Sequence, residues 1–334
     1  MSGIDLATIT KSAAFCDWTG IRPGGDVRFE LLGHGEYNIN YLFRNPSTDE
    51  KLVLRIPMGS QMHLDDQARY EFDALRLLEP SGRTPIPLFI DDTKNSLPYG
   101  FMVMSFLPGR ALDYKSDLAE AAHCLADIHN LDISPDSHLL KPNNPLGAVL
   151  SECHAMVKLY MDSDLASPEI KSTISSLLDR GGEIVENTKD TGIRCLINTE
   201  LNSGNFLVND KDNTYLVDWE KPLYACPGQD LGHFLAPTTT LWKTDMILTE
   251  NDIRGFLSVY CDNSSRYSDA DALWDDVLPF INMNCLRGIT WCAMAWVEYQ
   301  SPERVLKDDF TFEKIKYYIT PEYLERIRKD YVGG

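Results

Sequence analysis

A chain of 334 residues with 43% hydrophobic content can bury a large core and form two lobes or domains, and it carries no low-complexity tract or internal repeat. Its net charge of −19 argues against a nucleic-acid backbone or an anionic membrane surface as partner. The eight scattered cysteines show no CxxC pair or metal-ligand spacing, the N-terminus has no signal-peptide pattern, and no apolar run approaches membrane-spanning length, so a cytoplasmic protein with free thiols is expected.

Residues 4–17 have the spacing of a short amphipathic helix. Strand patterns follow at Val27–Leu32, Ile39–Arg44 and Lys51–Ile56, with Gly33-His34-Gly35-Glu36-Tyr37-Asn38 between the first two. Because those glycines sit between strands, they do not form a dinucleotide fingerprint, which needs a helix behind them. Two readings remain: a hairpin tip that offers backbone N–H groups to phosphates, or an ordinary glycine turn.

Arg55 lies inside the apolar run Leu54-Arg55-Ile56. If buried it needs a carboxylate, and the next helix, roughly Leu64–Leu78, offers Glu71. Such a pair would leave the guanidinium free to reach phosphate oxygens. The alternative puts Arg55 on the solvent face of an edge strand.

Two more strands are expected at Pro85–Ile90 and Phe101–Leu107, ending in Pro108-Gly109. Helical spacing then dominates, at Leu118–Leu131, 150–163 and 168–187. The expected organisation is therefore α+β and bilobal, with a β-rich N-lobe over 1–107 and a mostly helical C-lobe over 108–334. His129, on an apolar helix face, reads as a satisfied core histidine rather than a ligand.

The stretch Cys195–Glu220 concentrates polar groups on a loop between short apolar runs, and Glu200, Asn205 and Asp218 stand out. Phe206–Val208 and Tyr215–Val217 read as a hairpin around Asp210-Lys211-Asp212-Asn213. Carboxylates and carboxamides massed there are costly unless something charged is held.

The order of these parts is that of kinase catalytic parts, and the segments Asn198–Asn205 and Val217-Asp218-Trp219-Glu220 resemble the H-G-D-x-x-x-x-N loop and I-D-W/F-E strand end of the aminoglycoside phosphotransferase and choline kinase family. The segments Leu125–Leu131 and Cys226–Leu231 resemble two further family segments. The resemblance implies a protein-kinase-like fold and a small-molecule kinase using ATP or GTP with Mg2+. It implies that Gly33, Gly35 and Asn38, within a loop from Gly33 to Asn38, cover the nucleotide phosphates. By the same resemblance Arg55 pairs with Glu71, and the Ser105 carbonyl and Leu107 N–H read the adenine edge. Asn205 and Asp218 would hold Mg2+, Glu200 would be the catalytic base on a loop supported by Asn198, and Asp230 would brace that loop. Glu200 replaces the family's Asp and Asn198 its His. That departure leaves two readings, an active phosphotransferase or a catalytically impaired nucleotide-binding module acting through conformation or partners.

The implied acceptor is a small-molecule alcohol: an aminoglycoside, a choline- or ethanolamine-like amino alcohol, or a sugar. The acids between Leu241 and Val277, and Trp291, Trp296 and Tyr299 on the apolar helix Leu286–Tyr299, could serve a cationic acceptor. The alternatives are a solvated acidic face and aromatic core packing. Trp291 and Trp296 are about 140° apart on a helix and do not share a face. The sequence is silent on oligomeric state.

Overall fold

The computed structural model describes residues 4–35, 37–301 and 309–333. Glu36, inside the expected phosphate loop, lies outside them. The chain forms two compact units: Met1–Leu112 with Leu131–Leu140 and Asn205–Leu223, and Asp113–Asn130 with Lys141–Gly204 and Tyr224–Gly334.

The first unit is built on an antiparallel sheet of β1 (Glu30–His34), β2 (Asn38–Arg44), β3 (Lys51–Pro57), β4 (Pro87–Asp91) and β5 (Phe101–Ser105), ordered β1-β2-β3-β5-β4. Residues 52–57 of β3 are buried, because β3 is the middle strand, paired with β2 and β5. Its apolar side chains join Ile9, Phe15, Phe43, Phe101 and Val103 in one core. The expected N-terminal helix is instead a 3-10 turn, Leu6–Lys11, then helix α1 (Ala13–Thr19), because Ser12 caps α1 by accepting the Phe15 N–H. Helix α2 (Gln67–Leu78) buries Ala68, Glu71, Phe72, Leu75 and Leu78, positions three and four apart. Glu71 is thus carried inward on an apolar face.

The expected hairpin forms, with its second strand at Thr214–Leu216, one residue earlier than the Tyr215–Val217 of the sequence reading. Its unit is settled by long-range bonds. The Leu216 N–H donates to the Arg83 carbonyl at 2.8 Å, and Tyr70 Oη donates to the Pro222 carbonyl at 2.6 Å. Tyr70 Oη also accepts the Leu140 N–H at 3.1 Å, which holds residues 131–140 in this unit.

The second unit is helical: α3 (Leu118–His129), α4 (Pro145–Asp162), α5 (Pro168–Asn187), α6 (Pro227–Leu235), α7 (Pro237–Lys243), α8 (Glu250–Asn263), α9 (Ala270–Gln300), α10 (Asp309–Tyr318) and α11 (Pro321–Ile327). α9, with 31 residues, is roughly 46 Å long and packs against α4, α5, α6, α7, α8 and α10. Close approach to α6 depends on Gly232, where a Cβ would lie 2.5 Å from Phe280 Cβ. All eight cysteines are buried and free. No helix among the described residues is long and apolar enough to cross a membrane.

Candidate active site

In the first unit Glu71 and Asp218, two of the residues singled out from the sequence, meet at Arg55. Its Nε donates to Glu71 Oε2 at 2.6 Å and its Nη2 to Asp218 Oδ1 at 3.0 Å, with Glu220 Oε2 at 3.5 Å. The Arg55–Glu71 pair is therefore present, and a solvent-facing Arg55 is excluded. The expectation that the pair leaves the guanidinium free needs correction, because Asp218 and Glu220 occupy its outer edge. Burial works against the charged guanidinium, but Glu71, Asp218 and Glu220 outweigh it and hold its pKa above the ordinary value. Burial also pushes the Glu71 carboxyl up, opposed by Arg55 and by Gln67.

Carboxamides complete the cluster. Gln67, one turn before Glu71, donates Nε2 to Glu71 Oε1 at 2.8 Å and to the Glu220 carbonyl at 2.6 Å. Asn38 Nδ2 donates to Glu220 Oε2 at 2.6 Å, and Gln61 Nε2 to Glu220 Oε1 at 3.0 Å. Asn38, expected to face phosphates, is thus buried and directed at Glu220. Between Asp218 and Glu220, Trp219 is buried with its indole N–H donating to the Leu216 carbonyl at 3.0 Å.

With its carboxylates ionised, this cluster sets three negative charges against one positive. Such a surplus suits a divalent cation. The side chain that opens toward solvent is Asp218, 38% exposed, whereas Glu71 is 2% and Glu220 14% exposed. Asn205 is drawn beside it: the Asn205 carbonyl accepts the Val217 N–H at 2.8 Å, extending the hairpin ladder. Among the described residues no group of three or more His, Cys, Asp and Glu is arranged for a metal. An ion held at Asp218 would take most of its ligands from water and phosphate oxygens, as Mg2+ does.

The glycine loop lies in the same unit. The β1–β2 register shifts between Leu31 and Gly33, and a Cβ at Gly33 would meet nothing within 4 Å. The Gly35 N–H donates to the Asn38 carbonyl at 2.9 Å. Ser105 ends β5, its N–H bonded to the Ile86 carbonyl, and Leu107 lies two residues beyond, half-buried.

In the second unit Asp230, on α6, holds the loop that carries Glu200. Its carboxylate is fully buried and accepts the Asn198 N–H at 2.7 Å and the Thr199 N–H at 2.6 Å. Those bonds keep Thr199 at φ 76°, a conformation a β-branched residue rarely adopts. Asp218 in the first unit, at φ 64°, is left-handed too, at less cost for an Asp. Asn198 is buried, and its Oδ1 accepts the Glu200 N–H at 3.1 Å, so it supports the loop from within. His129 is a satisfied core histidine between Tyr260 (3.0 Å) and Asp230 (3.3 Å).

Sequence reasoning missed Arg287 and Glu152. Arg287 Nη2 donates to Glu200 Oε1 at 3.1 Å, and its Nε to Glu152 Oε2 at 3.0 Å. Three residues before it on α9, Asn284 Oδ1 pairs with His233 Nδ1 at 3.0 Å. Burial and the neighbouring Arg287 depress the His233 pKa to about 4, so the ring is neutral at pH 7. Tyr299 is buried and stacks on Phe312, while Trp291 and Trp296 are half-buried, packing edge-on against Trp242 and Tyr160 at the margin of the core. Of the acids between Leu241 and Val277, Asp252 and Asp269 cap helices, Asp271 pairs with Arg254, and Asp276 is buried.

A family model described as the phosphotransferase enzyme family, APH, matches residues 28–270. The chain belongs to this family. It is thereby a small-molecule phosphotransferase enzyme of the kinase type, as its motifs suggested. Solved structures share the family fold at low identity. A Ralstonia eutropha JMP134 protein assigned by name only to the aminoglycoside phosphotransferases has a TM-score of 0.71 at 13% identity, over 98% of this chain and 99% of that one. Choline kinase from Cryptosporidium parvum Iowa II has a TM-score of 0.63 at 15% identity, over 91% and 89%. A spectinomycin phosphotransferase, solved with ADP and spectinomycin, has a TM-score of 0.59 at 15% identity, over 90% and 91%. These likenesses support the protein-kinase-like α+β fold. A search of curated protein sequences gives no match.

Proposed function

We propose that this phosphotransferase moves the γ-phosphoryl group of Mg-ATP, or Mg-GTP, to a hydroxyl of a small molecule. The observation that carries the reading is the cluster around Arg55, whose surplus negative charge faces solvent at Asp218. In this reading Asn205 and Asp218 hold Mg2+, which supplies charge neutralisation for the phosphates. Gly33 and Gly35 present backbone to the phosphates, and the Ser105 carbonyl and Leu107 N–H meet the adenine edge. Asn38, Glu71 and Glu220 hold Arg55 and Asp218 in place rather than touching nucleotide. Glu200 accepts the proton of the acceptor hydroxyl as that oxygen bonds to the γ-phosphorus and the bond to the β-phosphate oxygen breaks.

The acceptor is a small alcohol, drawn from the aminoglycosides, choline- or ethanolamine-like amino alcohols, and sugars. An ammonium cage made by Trp291, Trp296 and Tyr299 is not part of this reading, since the three rings pack on three different partners, Trp242, Tyr160 and Phe312. The test is ADP or GDP formation with Mg2+ across a panel of choline, ethanolamine, spectinomycin, other aminoglycosides and sugars. Acceptor-dependent turnover that Glu200→Gln lowers by about 10²-fold or more is expected. Tight Mg-ATP binding without transfer to any acceptor would instead mark a non-catalytic nucleotide-binding module.

A further inference from the structure

We propose that Arg287 is the positioning residue that lets a glutamate serve as the base of this enzyme, by fixing the Glu200 carboxylate from α9 while Glu152 on α4 fixes Arg287. The inference rests on Glu200 being the base, as proposed above.

A glutamate has one more rotatable bond than an aspartate, and a base displaced by about 1 Å can lose much of its rate. The Glu200 backbone is already held by Asn198 and, through Thr199, by Asp230. That leaves the side chain's own torsions to be fixed. The 3.1 Å bond from Arg287 Nη2 to Glu200 Oε1 does this. Arg287 in turn is bonded to both oxygens of Glu152, Nε to Oε2 at 3.0 Å and Nη2 to Oε1 at 3.4 Å, the forked geometry that only a guanidinium offers. Side-chain exposures of 18% for Arg287 and 25% for Glu200 leave the pair sheltered but not sealed. Titratable groups near it among the described residues include Cys153 beside Glu152 on α4, and His233 and Asp230 on α6. His233 is neutral and held by Asn284, and Arg287 is a cation in direct contact with Glu200.

The experiment is a double-mutant cycle on Glu200→Asp and Arg287→Gln, read as ADP release from Mg-ATP with the best acceptor of the panel, or with water where no alcohol is turned over. Glu200→Asp, which withdraws the carboxylate from Arg287, and Arg287→Gln are each expected to lower kcat by about tenfold or more with the KM for ATP unchanged. The double variant should be little worse than either single one, and Arg287→Lys should recover part of the loss. Independent effects that multiply, or an Arg287→Gln enzyme with native kcat, would overturn the proposal. Should Arg287→Gln fold poorly, Glu152→Gln retains the cation and is expected to show a smaller loss of the same kind.

A carboxyl NMR titration gives a readout that does not depend on turnover. Removing the cation should move the Glu200 titration to higher pH, and an unmoved titration overturns the pairing. If Glu200→Gln turns over as the native protein does, the base assignment falls, and with it the role given to Arg287. If Glu200→Gln is inactive and the cycle is additive, the function stands and only the positioning role fails.

Discussion

Arg55 and Arg287 each lie among carboxylates, Arg55 with Glu71, Asp218 and Glu220, and Arg287 with Glu152 and Glu200. Arg55 sits in the middle strand of a sheet, 4% exposed, and its third carboxylate leaves the cluster two negative charges in surplus. Arg287 is on a helix at 18% exposure with two carboxylates, so the surplus is one. The difference teaches what each is suited to. A buried guanidinium with two surplus charges and an opening at Asp218 is suited, under the proposed function, to being completed by a divalent cation. A guanidinium with one surplus charge can hold a carboxylate in place without demanding a metal.

The sharpest way to break this comparison is at Asp218. Asp218→Asn should lower turnover by about 10³-fold, some 4 kcal/mol of barrier, and should abolish any Mg2+-dependent rise in Tm with ATP present. A variant that keeps its Mg2+ response would move the metal elsewhere. Arg55→Ala comes next, since it leaves Glu71 and Glu220 buried without their cation. Urea unfolding is expected to show a loss of about 3 kcal/mol, more than for Arg55→Lys.

His233 gives a smaller effect with a definite sign. Its folded pKa of about 4 lies below the ordinary value, so the unfolded chain binds the extra proton between about pH 6.5 and 4. Stability from this group is therefore present above that window and lost as pH falls through it, by an amount on the order of 3 kcal/mol. Tm measured from pH 7 to 4.5 should fall less steeply in His233→Gln, and an unchanged slope would remove His233 as the cause. Thr199→Gly is the mildest change. Relief of the left-handed strain should exceed the added freedom of the unfolded chain, for a gain of up to about 1 kcal/mol in urea unfolding.

Much of the first cluster was legible in the sequence because its signals are local. An arginine inside an apolar strand needs a carboxylate, and Glu71 lay on the next apolar helix face. Asn205 and Asp218 bracket a hairpin whose turn residues are plain. What stayed hidden was the crowding at Arg55: the sequence could not show that Asp218 and Glu220 close its outer edge, or that Asn38 would turn inward. Arg287 was within reach of the same reasoning, since it opens the apolar run Leu286–Tyr299 as a lone guanidinium. Its partner Glu200, however, lies 87 positions away.

Periodicity and turn residues were enough for the five-stranded order of the first unit and for several helices, because each depends on neighbours a few positions apart, whereas the kinase-like class came from the resemblance of the Asn198–Asn205 and Val217–Glu220 segments to a known family. Which carboxylate meets which guanidinium was decided by tertiary structure alone. Ion pairs form between side chains delivered by separate elements, and their geometry is set by how those elements pack. The close crossing at Gly232 and the three bonds that draw 205–223 to Arg83, Tyr70 and Gln67 have no local signature.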